Sequence, residues 1–414
     1  MRAHVIGAGL AGLSAALALA DGGWKIALYE AGPVAGGRCR SYFDRELGCR
    51  IDNGNHLVLS GNRAAFAYLQ RIGAADSLGG PGQALFPFID RADGARWALR
   101  PNRGRLPWWI FSRERRVPGT RATDYFSLRR VLSASPERSV AALGLPAALY
   151  RRLVEPLAIA ALNTPPDQGS ATLLAAVVRE TLARGGAACI PAFPRVGLSE
   201  SFIDPALAAL TARAAEVFFA RRIVSLTIEG GRVTALGSAS GPIAVAEGEP
   251  VVLAVPPPVA ADLLPGLMVP DAFEAILNVH FRRAADPGPA GFWGVIGGVA
   301  EWVFVKPGIV SVTISAANRL IELPAEEIAA LVWPDVRAAC DVAGAMPLWR
   351  VVKEKRASFA ATAAQSRRRP SARTGLANLV LAGDWTATGL PATIEGAIRS
   401  GRQAAEIMLH HAPR

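Results

Sequence analysis

Gly7, Gly9 and Gly12 stand at the spacing G-x-G-x-x-G, after a short apolar run and before a longer helix-forming one. Glycines so placed let a chain turn tightly and bring the backbone N–H groups of a helix start against a phosphate. Leu10 and Ala11 lie between the last two glycines and carry such N–H groups. Glu30 lies 18 residues past Gly12, at the end of the next apolar stretch. A carboxylate there accepts hydrogen bonds from ribose hydroxyls, with Ala31 beside it. Two further stretches point to a flavin dinucleotide rather than a nicotinamide one. Gly36-Gly37-Arg38 offers close backbone approach at Gly37 and a cation at Arg38. Gly383-Asp384 places an acid after an apolar strand, where it can bind ribityl hydroxyls. Pro391-Ala392-Thr393 then opens a helix whose positive end suits the pyrimidine side of a reduced flavin ring.

The second stretch that could do chemistry is Asp52-Asn53-Gly54-Asn55-His56. Asp52 and His56 are the expected proton donors, since an imidazole titrates near neutrality. Gly54 allows close backbone approach, and Asn55 lies beside it. The competing reading has Asp52 and His56 pairing with each other or with backbone to shape the loop. Phe292, Trp293, Trp302 and Phe304 could line a tunnel for an apolar substrate, though strand alternation sends only about half of such residues to one face. Glu180 and Glu274 read as solvated helix faces.

These residues need elements to hold them. Residues 2 to 30 read as one βαβ unit, with a helix from Leu10 to Ala20 stopped by Asp21-Gly22-Gly23. Helical patterns run from Pro146 to Ala161 and from Ser170 to Arg184. A strand at Glu216 to Phe219 continues past Arg222 to Ile228, and Glu229-Gly230-Gly231 turns the chain. Val251 to Val255 is a buried strand, residues 292 to 315 form a meander, and Leu379 to Ala382 leads into the helix Thr393 to Leu409. The expected fold is α/β: a Rossmann-type dinucleotide domain (1–80, 190–256 and 375–414) interleaved with an α+β substrate domain on a mixed sheet with helices (81–189 and 257–374).

A length of 414 residues exceeds what one core normally serves. With 51% hydrophobic and 19% charged residues the chain is globular rather than disordered. Its net charge is +11, and only Lys25, Lys306, Lys353 and Lys355 of its 45 basic residues are lysines. No nucleic-acid motif accompanies that charge, so no nucleic-acid partner is expected. Cys39, Cys49, Cys189 and Cys340 show no metal-ligand spacing and read as free thiols; no metal is expected. Apolar stretches are broken before a spanning length, and the expected location is cytoplasmic, peripheral on the inner face of the membrane. A compact apolar run, Trp108-Trp109-Ile110-Phe111, lies among arginines and suits a membrane contact through Trp108 and Trp109.

The paired motifs G-x-G-x-x-G…E…GGR and GD…EGA resemble the flavin amine-oxidase superfamily, which includes phytoene desaturases. Further stretches resemble the squalene-associated hydroxysqualene dehydroxylases: residues 36–44, 51–56, Pro107-Trp108-Trp109, 116–120, 354–362 and 382–401. The resemblance implies FAD as cofactor. It is noncovalent, because Thr386-Ala387-Thr388-Gly389 lacks the cysteine that members with attached flavin use. It also implies an adenine site at the backbone of Ile223, a flavin ring against the loop of Asp52 to His56, and a long isoprenoid substrate. The implied reaction is reductive removal of an allylic hydroxyl, with the electron donor to the flavin unspecified. A desaturase running the electrons in reverse, an amine oxidase, and a noncatalytic prenyl-lipid binder are the alternatives. The arginine-heavy stretch 366–373 matches no cofactor element.

Overall fold

A computed structural model describes residues 1–411. The strands Arg2–Ile6, Lys25–Tyr29, Glu216–Phe218, Val251–Leu253 and Leu379–Leu381 make one parallel sheet. Their short, nearly continuous apolar sequences suit a sheet covered on both faces. On one face Val5, Leu28, Val252 and Val380 pack against the helices Leu10–Asp21 and Ile394–His411. On the other, Ile6, Ala27, Leu253 and Leu381 meet a three-stranded antiparallel sheet and neighbouring helices. The helix Leu10–Asp21 is rich in Ala and Leu on all sides, and it is buried almost all round. Its partner reaches it through a glycine, since a Cβ on Gly401 would lie 2.0 Å from the Ala11 carbonyl oxygen.

The strand expected to run from Glu216 to Ile228 is two strands. Ala220 takes a left-handed φ of 51°, which breaks the run. Glu216–Phe218 stays in the parallel sheet, while Ile223–Glu229 begins the separate antiparallel one. Gly230 and Gly231, both at positive φ, make the expected turn.

A second large sheet has seven strands in the order Trp349–Phe359, Phe273–Phe281, Ile309–Ile314, Trp302–Lys306, Phe292–Ile296, Phe86–Asp90, Arg96–Leu99. It is mixed: Phe292–Ile296 and Phe86–Asp90 pair in parallel, all other neighbours antiparallel. Period-two alternation gives its faces different chemistry. Leu277, Val279, Val303, Val310 and Val312 form an apolar face against the helix Ala325–Cys340. The opposite face carries Asn278, His280, Ser311, Thr313 and Lys306, and farther along Phe292, Trp302 and Phe304. The parallel sheet draws all its strands from residues 1–80, 190–256 and 375–414; the seven-stranded sheet draws its own from 81–189 and 257–374.

The helical run at 147–162 widens into a π turn at Tyr150–Val154, and a second π turn occupies Ser199–Ile203. Each is followed by an acid–proline pair, Glu155-Pro156 and Asp204-Pro205. A proline ring crowds the carbonyl one turn back, and a wider turn relieves that crowding. The pattern from Ser170 continues as the α-helix Ala171–Glu180, capped by the Ser170 hydroxyl, and ends in a short 3-10 turn. Two acids are not solvated helix positions. Glu180 accepts both terminal nitrogens of Arg399, at 2.9 and 2.8 Å. Glu274 is buried on the strand Phe273–Phe281, and burial pushes its carboxyl pKa up. No helix among the described residues is long and apolar enough to cross a membrane.

Candidate functional site

The three glycines of the first turn do different work. A Cβ on Gly7 would meet the Ala254 carbonyl oxygen at 2.5 Å, and one on Gly12 would overlap the Gly7 carbonyl at 1.8 Å. Gly9 faces open space, with nothing within 4 Å of its Cβ position. The second glycine loop lies alongside: Gly36 N–H donates to the Ala8 carbonyl at 2.9 Å, and a Cβ on Gly37 would approach only Gly9 Cα, at 3.7 Å. Together they leave a bare backbone trough at the start of the helix whose first turn contains Leu10 and Ala11. Glu30 braces this trough, accepting the Ala8 N–H at 2.9 Å and the Gly32 N–H at 2.8 Å, while Ala31 is exposed. The Arg221 N–H donates to the Glu30 carbonyl, which brings the buried Ile223 close to the same edge.

Arg38 and Asp384, expected to serve separate parts of a cofactor, meet each other at 2.7 Å. Arg38 also donates to the Ala357 carbonyl at 2.6 Å. Gly383 has a φ of 155°, and a Cβ there would strike the Trp385 indole at 2.3 Å. Beyond Pro391 and Ala392, the Thr393 hydroxyl accepts the Gly396 N–H at 3.0 Å and caps the last helix.

The stretch without an expected role holds this second loop. Arg369 is buried, and one of its nitrogens donates to the carbonyls of Asp384 (3.0 Å) and Thr386 (2.5 Å) and to the Thr388 hydroxyl (2.8 Å). Its guanidinium lies 4.8 Å from the centre of the Phe359 ring, and burial draws its pKa down to about 10. Glu395, the acid of the EGA motif, has a role that sequence reasoning missed. It accepts the Ala64 and Ala65 N–H groups at 3.1 and 2.8 Å, capping the helix Arg63–Arg71.

The loop from Asp52 faces the polar side of the seven-stranded sheet. Asp52 is buried and does not pair with His56 by hydrogen bond. Its Oδ1 accepts the Ser41 hydroxyl at 2.6 Å and the Leu198 N–H at 2.8 Å, and its Oδ2 accepts the Lys306 ammonium at 2.8 Å. A carboxylate surrounded by three donors is an acceptor, so the expectation that Asp52 gives a proton is corrected. Leu198 begins the helical segment that contains the second π turn, so the carboxylate also lies at a helix N-terminus. Gly197 permits this approach, because a Cβ there would come within 3.1 Å of Asp52 Oδ1.

Asn53, Gly54 and Asn55 are tied to the sheet. Asn278 Nδ2 donates to the Asn53 carbonyl at 3.1 Å, and Asn55 Nδ2 donates to the Thr313 hydroxyl at 3.1 Å. A Cβ on Gly54 would crowd Asn278 Nδ2 at 3.3 Å, with His56 Nε2 at 3.8 Å. Gly54 thus admits neighbouring side chains. Burial drives the His56 pKa down to about 4, against the pull of Asp52, and Arg38 and Lys306 lower it further. His56 is therefore neutral near pH 7. His280, buried on the adjoining strand, bonds Ser311 Oγ at 2.8 Å and is likewise drawn down to about 4.

Beside this polar patch lies an aromatic one. Phe193, Phe292 and Phe304 stand in mutual contact, with ring centres 5.8 to 6.3 Å apart. Trp302 joins them at 5.8 Å from Phe292, and Leu57 of the His56 loop packs against the group. Trp293 points the other way, into the core under the helix Ala325–Cys340. The paired expectation for Trp108 and Trp109 is also corrected. Trp108 is 66% exposed, but Trp109 is 4% exposed and packs edge-on against Tyr125.

The sequence matches the family described as Flavin containing amine oxidoreductase over residues 10–286 and 305–409. It is 48% identical to hydroxysqualene dehydroxylase of Rhodopseudomonas palustris, over 98% of each chain. A probable zeta-carotene desaturase of Synechococcus elongatus is 38% identical, but over only 19% of this chain and 16% of its own. Among solved structures, cyclohexylamine oxidase from Brevibacterium oxydans superposes with a TM-score of 0.71 at 16% identity, covering 100% of this chain and 99% of its own. The chain belongs to the flavin containing amine oxidoreductases, and within them to the hydroxysqualene dehydroxylase family.

Proposed function

We propose that the protein binds FAD noncovalently and uses it to remove the hydroxyl of hydroxysqualene, giving squalene and water. The observation that carries the reading is the meeting of a polar patch and an aromatic patch on one face of one sheet, at the loop Asp52 to His56. The bare trough at Gly9 and Gly37 fits a pyrophosphate, and the Glu30 carboxylate at its edge fits a ribose. Asp384 and Arg38, in contact with each other, would hold the ribityl and phosphate groups. The region 386–389 has no cysteine to form a covalent link. The desaturase likeness, limited to a fifth of the chain, gives less support to the reverse reaction.

In this reaction a C–O bond breaks, the oxygen takes a proton and leaves as water, and the resulting allylic carbocation accepts a hydride. Reduced FAD, held at the trough of Gly9 and Gly37, would supply the hydride. The residues of this chain must deliver the proton and shelter the cation. Lys306 is the ammonium that Asp52 holds at the site, and it is the proton source in this reading. His56, kept neutral by burial, offers an N–H to position the hydroxyl. Phe193, Phe292 and Phe304 exclude water and present ring faces to the carbocation. A lipid substrate, and the lack of a spanning helix among the described residues, suit a cytoplasmic enzyme working at the inner face of the membrane.

The test is anaerobic incubation of the chemically reduced protein with hydroxysqualene, followed by lipid analysis and flavin absorbance. One squalene formed per flavin oxidised is the expected result, and acid precipitation should leave yellow flavin in the supernatant. In the same assay Lys306→Met should keep flavin and lose a factor of roughly 10² to 10⁴ in single-turnover rate. Reduced flavin that stays reduced, with the alcohol intact, would sink the proposal.

A further inference from the structure

We propose that Leu106, Trp108, Phe111 and Phe126 form a docking surface for an anionic lipid bilayer. These four side chains are 61 to 66% exposed, an unusual state for residues so apolar. Their exposure is imposed by the backbone. The segment Trp108–Phe111 is a 3-10 helix, in which residues three apart point the same way. Trp108 and Phe111 therefore project outward together, their ring centres 6.1 Å apart, while Trp109 and Ile110 project inward. Phe126 projects from the neighbouring turn Ala122–Leu128, next to Tyr125, which is the ring that Trp109 packs on.

The platform beneath is firmly closed. Asn102 accepts the Trp109 N–H at 3.1 Å and donates to the Leu106 carbonyl at 2.9 Å. The Arg100 N–H donates to the Arg115 carbonyl, and the Gly186 N–H to the Asn102 carbonyl. Tyr125 receives the Val117 N–H at 2.9 Å.

Charge names the partner. Residues 100–121 hold seven arginines and one acid, Glu114. Arg103, Arg105, Arg113 and Arg115 are exposed, and none forms an ion pair within the described residues. Unpaired guanidinium groups around protruding aromatic rings match a surface with anionic headgroups above an apolar interior. The direction of this surface fits delivery of a lipid. Trp109 and Ile110 share a core with Phe88 and Trp302, and Trp302 also touches Phe292 of the aromatic patch at the site. Contiguous apolar packing thus links the docking surface to the loop of His56. The docking surface rests on the isoprenoid reading only for this direction of delivery, and its binding assay requires no turnover.

The test is co-sedimentation of the flavin-loaded protein with vesicles of phosphatidylcholine alone or with phosphatidylglycerol added. Binding should require phosphatidylglycerol and fall as salt rises. The pair Trp108→Ser with Phe111→Ser, the single change Phe126→Ser, and Arg103→Gln with Arg105→Gln should each weaken it. For the arginine pair the loss should exceed about tenfold, since one basic residue near such a surface is worth about fivefold. Flavin spectrum and melting temperature should stay as in the wild type. Equal binding to both vesicle types, background binding to both, or folded variants that bind like the wild type would each overturn the proposal. Turnover of detergent-dispersed hydroxysqualene separates the two ideas. Variants that lose vesicles but keep this turnover support docking, whereas a wild type that binds vesicles without turnover strikes the catalytic reading alone.

Discussion

One nitrogen of Arg369 serves three acceptors of the segment 384–388, and no other side chain among the described residues has that hold on the loop carrying Asp384. Replacing it with Met removes a charged donor from a buried set of carbonyls. Flavin affinity should fall by about 1.5 to 3 kcal/mol, the scale for hydrogen bonds involving a charge. Arg369→Lys should recover only part of this, because an ammonium lacks the planar fork. Titration of the unloaded protein with FAD, followed by flavin fluorescence, measures both; wild-type affinity in a folded Arg369→Met would remove Arg369 from the cofactor site. The turn of Gly7, Gly9 and Gly12, with Glu30 bracing it, is legible in the sequence because all four lie within one βαβ unit, whereas the pairing of Asp384 with Arg38 is not. Nor are the partners of Asp52: Lys306 lies 254 positions away and Leu198 lies 146. A carboxylate that donates and one that is caged have the same letter, and only the fold tells them apart.

Among the elements, the helices Leu10–Asp21 and Ile394–His411 depend on a contact that permits no side chain. Gly401→Ala would press a methyl group to within 2.0 Å of the Ala11 carbonyl oxygen. We expect a loss of roughly 1 to 3 kcal/mol or failure to accumulate as soluble protein, measured by denaturant unfolding. Gly375→Ala is the control, since nothing lies within 4 Å of its Cβ position; equal stability of the two variants would refute the packing argument. Periodicity made the meander readable and short apolar runs marked the parallel sheet, but the strands Phe86–Asp90, Phe273–Phe281 and Trp349–Phe359 were not expected from the sequence. It misled at Glu216 to Ile228, where a left-handed alanine divides two runs of similar composition. The π turns have no periodic signature; their nearest trace is the acid–proline pair that follows each.

For the molecule as a whole, ionisable groups wholly or partly withdrawn from water make stability depend on pH in opposing senses. His280 has its pKa lowered from 6.5 to about 4, so the unfolded chain takes up a proton that the fold refuses as pH drops between those values. Its contribution is fully present above pH 6.5 and is lost toward pH 4, by on the order of 3 kcal/mol. Glu301 has its pKa raised from 4.5 to about 7, so it destabilises the fold as pH climbs through that interval. Urea unfolding at pH 5 and pH 8 should therefore give a smaller acid-side loss in His280→Gln than in the wild type. Glu301→Gln should instead lose less stability on going from pH 5 to pH 8. Parallel pH profiles for all three proteins would show that neither group is held as described.

The contact between the first and last helices also sets a clock. Ala11 leaves the ribosome about 390 residues before Gly401, and the strand Leu379–Leu381 closes the parallel sheet nearly as late. At about 5 to 20 residues per second, the glycine-rich turn waits roughly 20 to 80 s for the pieces that cover it. During that interval the Ala- and Leu-rich helix lacks its most extensive partner, the helix Ile394–His411, and on the proposed reading a nascent chain halted before residue 379 would carry a dinucleotide motif without a complete site. On the proposed FAD reading, cofactor capture waits until the segments through Gly401 have been made, and the helix Leu10–Asp21 is the segment a chaperone would have to guard until then.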